Sequence, residues 1–243
     1  MIEIMELSKS FKDIKAVDQL TLNIESGEIF GLLGENGAGK TTTLRMLSTM
    51  LKPTAGNAII NKHDLLKKPE LVRGSIGILF GGETGLYDRL TARENIEYFG
   101  LLNGMEKKQI KIRIEELTKK LGMEEYIDRR TGKFSKGMKQ KVAIARSIVH
   151  NPPIMFFDEP TSGLDVTAIR VVQDFIKELQ KEGKTVIFSS HSMSEVEKLC
   201  DRVGIINKGK LIAMGSLEEL KTQQGTEDLE EVFVQLIGGT HNV

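Results

Sequence analysis

A glycine-rich stretch at residues 34–41, with the pattern G-x-x-x-x-G-K-T, constrains the fold of this chain more than any other feature. An apolar run at residues 29–33 precedes it, and a helical pattern at about residues 39–50 follows it and stops before Pro53. The chain is therefore predicted to pass from a buried strand through a tight loop into a helix. Glycines at such a turn let backbone N–H groups approach a ligand closely, and the start of a helix attracts negative charge. The stretch predicts a phosphate-binding loop.

This loop, a P-loop, provides most of the candidate nucleotide-binding residues. They are Gly34, Asn36, Gly37, Ala38, Gly39, Lys40, Thr41 and Thr42. We expect the Lys40 side chain to reach the β- and γ-phosphates of a nucleotide, which also makes it a candidate catalytic residue, and the Thr41 hydroxyl to bind Mg²⁺. The alternative is a glycine-rich turn that merely matches the pattern. The strand before the loop and the helix after it favour the P-loop.

Two adjacent carboxylates end a second apolar run. Residues 154–157 are Ile-Met-Phe-Phe, and Asp158 and Glu159 follow them. Ligands of parallel sheets collect at the carboxyl ends of the strands, so we expect Asp158 to hold Mg²⁺, directly or through water, and Glu159 to act as the general base for the attacking water. The alternative is an acidic strand end that caps a helix. Beside a P-loop, the catalytic interpretation is favoured, and the two motifs together predict a P-loop NTPase.

Short apolar runs alternate with longer helical patterns along the chain, which predicts an α/β fold with a largely parallel sheet. The N-terminal part is rich in strands, with runs at residues 2–8 and 20–25, and a hairpin is predicted at residues 207–210. Ile110, Ile114, Leu117 and Leu121 form one stripe of an amphipathic helix.

The whole chain, residues 1–243, is predicted to be a single domain. Its core covers about residues 1–83 and 150–215, a helical subdomain is inserted at about residues 84–149, and a tail at about residues 216–243 forms two short helices split around Gly225.

Composition excludes several other classes of protein. The chain carries 34 Lys and Arg residues and 34 Asp and Glu residues, so its formal net charge is 0, which argues against a protein that coats nucleic acid. Its longest charge-free stretch, residues 232–243, is much shorter than the roughly 20 apolar residues of a membrane-spanning helix. The one cysteine, Cys200, cannot form an internal disulfide, which fits a reducing compartment.

Three further motifs narrow the prediction. Residues 134–140 are Phe-Ser-Lys-Gly-Met-Lys-Gln, residues 160–165 are Pro-Thr-Ser-Gly-Leu-Asp, and residues 189–191 are Ser-Ser-His. Together with the P-loop and the acidic pair, in this order, they resemble the ATP-binding subunits of ABC transporters over about residues 2–220. The resemblance implies the ABC ATPase fold: a RecA-like core, an N-terminal antiparallel β region and an inserted helical subdomain.

The resemblance also implies roles for five more residues. Ser135 and Gly137 lie in the family's signature motif, which contacts the ATP bound to a second chain. Asp165 lies in the D-loop, His191 is similar to the switch histidine that holds the γ-phosphate and orients water as a catalytic residue, and Phe11 occupies the place of an aromatic that stacks on adenine.

Each of these assignments has a structural alternative. Ser135 and Gly137 could be the N-cap and flexible start of the following helix, and Asp165 could cap the helix at residues 166–181 as well as lie near nucleotide. His191 could be a neighbour of a helix N-cap. Phe11 could simply pack in the core.

The chain departs from the family at one place. The family usually carries a glutamine after the strand at residues 76–80, whereas this chain has Gly81, Gly82 and Glu83 there. Glu83 is the candidate substitute. The departure bears on coupling or on the rate of ATP hydrolysis, not on nucleotide binding.

The resemblance implies an ATP-hydrolysing motor with ATP and Mg²⁺ as cofactors. It works as a head-to-tail homodimer at the cytoplasmic face of the cell membrane, docked on a separate integral membrane permease through the surface around residues 80–100. The resemblance extends to bacterial sodium exporters and to drug exporters, so that both kinds of cargo are candidates. No nucleic acid partner is expected. The alternatives are a soluble ABC ATPase that acts on nucleic acid or ribosomes, and a nucleotide-gated binding module with negligible hydrolysis.

Overall fold

The computed structural model describes residues 1–80 and 85–238, which form two β-sheets with helices packed on them. The strands are β1 (Ile2–Phe11), β2 (Ile14–Ile24), β3 (Ile29–Leu33), β4 (Ala55–Ile60), β5 (His63–Asp64), β6 (Ile76–Leu79), β7 (Ile154–Asp158), β8 (Thr185–Ser190), β9 (Arg202–Asn207) and β10 (Lys210–Ser216). The helices are α1 (Lys40–Leu47), α2 (Pro69–Ser75), α3 (Ala92–Leu102), α4 (Lys107–Lys120), α5 (Lys136–Ile148), α6 (Val166–Lys181), α7 (Met193–Leu199), α8 (Leu217–Gln224) and α9 (Leu229–Gly238). A short 3₁₀ turn lies at Thr131–Lys133.

The larger sheet has six strands in the order β10-β9-β3-β8-β7-β6. Strands β9, β3, β8, β7 and β6 run parallel, and β10 joins β9 as an antiparallel hairpin. Every residue of β3, β7 and β8 is buried, as expected for central parallel strands that are covered on both faces. The α/β prediction and the hairpin are therefore confirmed.

The smaller sheet is antiparallel, with the order β2-β1-β4-β5. In β1 the side chains of Ile2, Ile4 and Leu7 face the core and are at most 2% exposed. This sheet is the antiparallel β region that the sequence predicts at the N-terminus. Strands β1 and β2 are longer than the apolar runs, because polar residues continue the pairing up to the Phe11–Ile14 pair.

The register of the parallel sheet sets the position of the site. Asp158, the last residue of β7, pairs with Ser189 of β8, and Leu33, the last residue of β3, pairs with Ser190. The carboxyl ends of these three neighbouring strands therefore meet at one edge of the sheet. The segments that follow them, with the glycine-rich loop, Glu159 and His191, leave the sheet side by side.

Residues 92–148 are mostly helical, as predicted. Helix α3 begins with a capping box in which Thr91 and Glu94 each accept a hydrogen bond from the other's backbone N–H, and it packs against α4 and α5. The predicted stripe is buried: Ile110, Ile114, Leu117 and Leu121 are at most 2% exposed. The division of the chain into a core and an inserted subdomain stays a prediction.

Two helices and one short strand were not predicted from the sequence. Helices α2 and α7 have seven residues each, and β5 has two. All three are too short to show a periodic apolar pattern. The tail agrees with the prediction, since α8 ends at Gly225, whose φ of 68° is left-handed, and α9 follows. Within the described ranges, no helix is long and apolar enough to cross a membrane.

Helix α4 offers a matched test of the packing of the helical segment. Ile114 is 2% exposed, whereas Ile112 on the same helix is 63% exposed. Replacing Ile114 by alanine removes buried methyl and methylene groups and should lower the free energy of unfolding by about 2 to 5 kcal/mol. Chemical denaturation followed by circular dichroism measures this change.

The control is Ile112→Ala, which carries the same change in intrinsic helix propensity. Because its side chain is exposed, we expect its free energy of unfolding to change by no more than about 0.5 kcal/mol. Equal losses in the two variants would contradict the packing described for α4.

Candidate active site

The glycine-rich loop leaves β3 and wraps over the start of α1. A Cβ atom at Gly34 would lie 2.4 Å from the carbonyl oxygen of Ile206, so only glycine fits against β9 there. Gly39 has a φ of 113°, which side-chain-bearing residues rarely adopt. An added Cβ at Gly37 would meet none of the described atoms within 4 Å, apart from its own chain neighbours. The loop is thus packed against the protein on one side and open on the other, the side on which a phosphate group fits.

The Lys40 side chain is folded back over the loop. Its ammonium group donates hydrogen bonds to the carbonyl oxygens of Gly34 and Glu35, at 2.6 and 3.1 Å, and the residue is 5% exposed. Burial lowers the pKa of Lys40, and the nearby negative charges of Glu159 and Asp158 oppose that shift. A cavity of about 110 Å³ lies over the loop, lined by residues 35–42 and Glu159. The charge of Lys40 is therefore available beside this cavity.

Thr41 and Asp158 bring the loop and the strand end together. The Thr41 hydroxyl lies 3.0 and 2.9 Å from the two carboxylate oxygens of Asp158, which is 6% exposed. The Ser189 hydroxyl donates to Oδ1 of the same carboxylate at 2.5 Å. A hydroxyl and a carboxylate oxygen at this spacing are the hard ligands that Mg²⁺ prefers.

The donor set is small. Within residues 1–80 and 85–238, no group of three or more His, Cys, Asp or Glu side chains converges as a metal site. Mg²⁺ is usually bound by one or two protein ligands together with phosphate oxygens and water, so Thr41 and Asp158 fit this metal in a nucleotide complex.

Glu159 adopts an unusual backbone conformation beside Asp158. Its φ is 45°, in the left-handed region, and its N–H group donates to both the carbonyl oxygen and the hydroxyl of Ser189, at 3.2 and 3.1 Å. Its side chain meets the Nδ1 atom of His191 at 3.3 Å. Two of the three predicted catalytic residues, Glu159 and His191, are thus in contact, and Glu159 lines the cavity over the loop.

Ser189 opens the Ser-Ser-His motif, but no role in the site was predicted for it from the sequence. Its hydroxyl bonds to the Asp158 carboxylate and to the Glu159 backbone, and its side chain is completely buried. A signal for it exists, since it is a hydroxyl residue near the carboxyl end of the strand next to the acidic pair. The signal can be recognised only when the strand order is known, because a single serine does not by itself indicate a site.

Ser135 and Asp165 both act as helix N-caps. The Ser135 hydroxyl accepts from the N–H of Met138 at 3.2 Å, and the Asp165 carboxylate accepts from the N–H of Ala168 at 2.9 Å. Gly137 lies where α5 approaches α6, since an added Cβ would be 3.3 Å from that of Ala168. None of the three lines the cavity over the loop of its own chain. The capping alternatives are therefore present, and roles at a second chain's nucleotide stay predictions.

Phe11 is 47% exposed at the end of β1, and the Lys9 ammonium lies 5.2 Å from its ring centre. This exposure disfavours the core-packing alternative and leaves a ring face accessible for stacking.

The candidates Gly81, Gly82 and Glu83 lie outside the described residues.

The comparison with protein families decides the family. Residues 17–162, more than half of the chain, match the family model described as ABC transporter. The chain belongs to the ABC transporter family. The ABC transporter ATP-binding protein NatA of Bacillus subtilis is 51% identical over 238 residues, which is 96% of this chain and 97% of that protein. The daunorubicin/doxorubicin resistance ATP-binding protein DrrA of Streptomyces peucetius is 38% identical, over 94% of this chain and 69% of that protein.

A solved structure agrees. A dimeric ATP-binding cassette in a post-hydrolysis state, bound to ADP and Pi, superposes with a TM-score of 0.81 at 28% identity, covering 89% of this chain and 98% of that one. The predicted fold, the resemblance and the prediction of an ATP-binding, ATP-hydrolysing subunit of an ABC transporter are therefore confirmed. The alternative of an ABC ATPase that acts on nucleic acid or ribosomes is not favoured.

Ser189 gives a test of the geometry of this ABC ATPase. Ser189→Ala removes one hydrogen bond to Asp158 and one to the Glu159 backbone, and it adds no atoms to the core. We expect the turnover number for ATP to fall by about tenfold or more, because the two carboxylates lose their fixed positions. Steady-state phosphate release measures it, with magnesium in excess.

The control is Ser194→Ala, since the exposed Ser194 hydroxyl bonds only to the Ser192 hydroxyl among the contacts described, at 3.0 Å. Its turnover should match that of the unmodified chain. Unchanged turnover in Ser189→Ala would contradict the positioning of the acidic pair by Ser189.

Proposed function

We propose that this chain is the motor of an exporter and that ATP is hydrolysed where the P-loop meets the end of β7. The observation that carries the proposal is the contact of the Thr41 hydroxyl with the Asp158 carboxylate, beside the Glu159–His191 contact. In support of the proposal, Thr41 and Glu159 line the cavity over the loop, and Asp158 and His191 contact them.

In this proposal each side chain has a separate task. Lys40 and the backbone N–H groups of the loop bind the β- and γ-phosphates, while Thr41 and Asp158 hold Mg²⁺. Held by Thr41 and Asp158, a bound metal would supply positive charge that stabilises the negative charge developing on the phosphate oxygens. Glu159 accepts a proton from the attacking water, and His191 orients that water and the γ-phosphate.

We propose that two copies bind two ATP molecules head to tail. Ser135 and Gly137 of one chain face the γ-phosphate on the P-loop of the other, where the start of α5 offers N–H groups and a positive dipole end, and Asp165 lies nearby. Phe11 stacks on adenine. Because the contacts of Ser135 and Gly137 need the γ-phosphate, ATP stabilises the dimer and its hydrolysis releases the two chains. The dimeric cassette with ADP and Pi supports this arrangement.

We propose that the motor docks on a separate integral membrane permease at the cytoplasmic face of the cell membrane. The docking surface lies around residues 80–100. In its described part, Tyr87 and Tyr98 are 49% and 40% exposed and meet edge to face with their ring centres 5.4 Å apart. Exposed apolar groups in one patch are typical of a protein–protein contact.

For the exported cargo we propose the sodium ion, because the sequence resembles the ATP-binding subunits of bacterial sodium exporters. A drug is the second candidate, because the daunorubicin/doxorubicin resistance ATP-binding protein is 38% identical to this chain.

The role of Glu159 is tested by Glu159→Gln. The amide keeps the shape of the side chain but cannot accept a proton, so ATP should bind with unchanged affinity while turnover falls by at least about 100-fold. With the γ-phosphate preserved, the dimer should accumulate. Binding of a fluorescent ATP analogue, phosphate release and analytical ultracentrifugation measure these three quantities.

The control is Glu178→Gln on α6, whose carboxylate pairs with Lys120 far from the loop cavity. It should leave affinity, turnover and dimerisation unchanged. Turnover of Glu159→Gln at the level of the unmodified chain would exclude Glu159 as the base.

The cargo is tested in inverted membrane vesicles from host cells. Vesicles that contain the unmodified chain together with its permease should accumulate sodium when ATP is added, and vesicles with Glu159→Gln and the same permease should not. Accumulation of daunorubicin instead of sodium would assign the drug, and accumulation of neither would contradict both candidates.

A further inference from the structure

Glu195 connects two segments of the site, the one that follows β7 and the one that follows β8. It lies in the first turn of α7, and its two carboxylate oxygens accept from two different hydroxyl groups. One donor is the hydroxyl of Thr161, and the other is the hydroxyl of Ser190, at 2.9 Å. Glu195 also lines a cavity of about 240 Å³ together with Glu159 and His191.

The two donors flank the proposed catalytic residues. Thr161 follows Glu159 by two positions and opens the loop that runs to Asp165, and Ser190 immediately precedes His191. The Ser190 hydroxyl also accepts from the N–H of Ser192 at 3.0 Å, so it holds the backbone on the far side of His191. One carboxylate thus joins the segment after β7 to the segment after β8.

Both hydroxyl donors are largely buried. Thr161 and Ser190 are 7% and 3% exposed, so loss of the Glu195 carboxylate removes the acceptor that each hydroxyl has inside the protein. The alternative role for Glu195 is favourable interaction with the start of α7, where an acidic residue is stabilising. That role needs only the negative charge of Glu195. The hydrogen bonds of both carboxylate oxygens with hydroxyl groups on other segments indicate a role beyond it.

We propose that Glu195 is a positioning residue for ATP hydrolysis. Its carboxylate fixes the segment that carries Glu159 relative to the segment that carries His191, and so maintains the 3.3 Å contact between these two side chains. This proposal rests on the roles proposed above for Glu159 and His191. It predicts that Glu195 affects the rate of the chemical step and not the binding of ATP, because Glu195 does not line the cavity over the P-loop.

The test is Glu195→Ala, which removes both bonds. We expect the turnover number to fall by about tenfold or more, since Glu159 and His191 are no longer held in register, while the KM for ATP stays within about threefold. Glu195→Gln should restore turnover to within about threefold of the unmodified chain, because the amide still accepts one hydroxyl hydrogen bond and donates to the other oxygen.

The matched control is Glu197→Ala on the same helix. Its exposed carboxylate pairs with Lys221 at 2.8 Å, away from the site, so turnover should not change. Equal turnover of Glu195→Ala and Glu197→Ala would overturn the proposal, as would a glutamine variant as slow as the alanine variant. If Glu195→Ala does not fold, Thr161→Val removes one of the two bonds and carries the same expectation for turnover and KM.

A readout without turnover separates this proposal from the proposed function. Hydrogen exchange of the backbone amides at residues 159–165 and 190–192 should be faster in Glu195→Ala than in Glu197→Ala, because these segments lose their link. Unchanged exchange would overturn the proposal even if Glu159→Gln behaves as expected. If instead Glu159→Gln keeps its turnover while exchange is faster in Glu195→Ala, Glu159 is excluded as the base. The proposal that Glu195 links the two segments would then still hold.

Discussion

The site depends on the contact between the Thr41 hydroxyl and the Asp158 carboxylate. Thr41 is the second residue of α1, and Asp158 is the last residue of β7, so this pair joins the loop after one strand to the end of another. Because β3, β8 and β7 are neighbours in one parallel sheet, the contact follows from strand order. The carboxylate also accepts from Ser189 on the strand between them, so that β7, β8 and the helix that follows β3 contribute to one cluster of oxygen atoms.

Opposite charges are concentrated at this edge although the formal net charge of the chain is 0. Lys40 is buried with its ammonium group on backbone carbonyl oxygens, and burial lowers its pKa. Asp158 is buried close by, and Glu159 is held in a left-handed conformation by the Ser189 hydrogen bonds. The fold thus keeps a cation and two carboxylates beside a cavity that a phosphate and a metal ion can complete.

Much of this arrangement can be predicted from the sequence, for reasons that differ between residues. The P-loop and the acidic pair are predictable because a glycine pattern and an apolar run fix their places at strand ends. The roles of Ser189 and Glu195 are not, because each depends on a contact more than 30 positions away along the chain, that of Ser189 with Asp158 and that of Glu195 with Thr161. Helix α7, which carries Glu195, is too short to show a periodic pattern.

The most direct test of the account is a crystal structure of the Glu159→Gln chain with ATP and Mg²⁺. We expect the metal about 2.0 to 2.1 Å from the Thr41 hydroxyl oxygen, with Asp158 bound to it directly or through one water molecule. We expect the γ-phosphate between the Lys40 ammonium and the side chain substituted in Glu159→Gln. A metal held without Thr41 and Asp158, or a nucleotide bound away from residues 34–42, would contradict the proposed site.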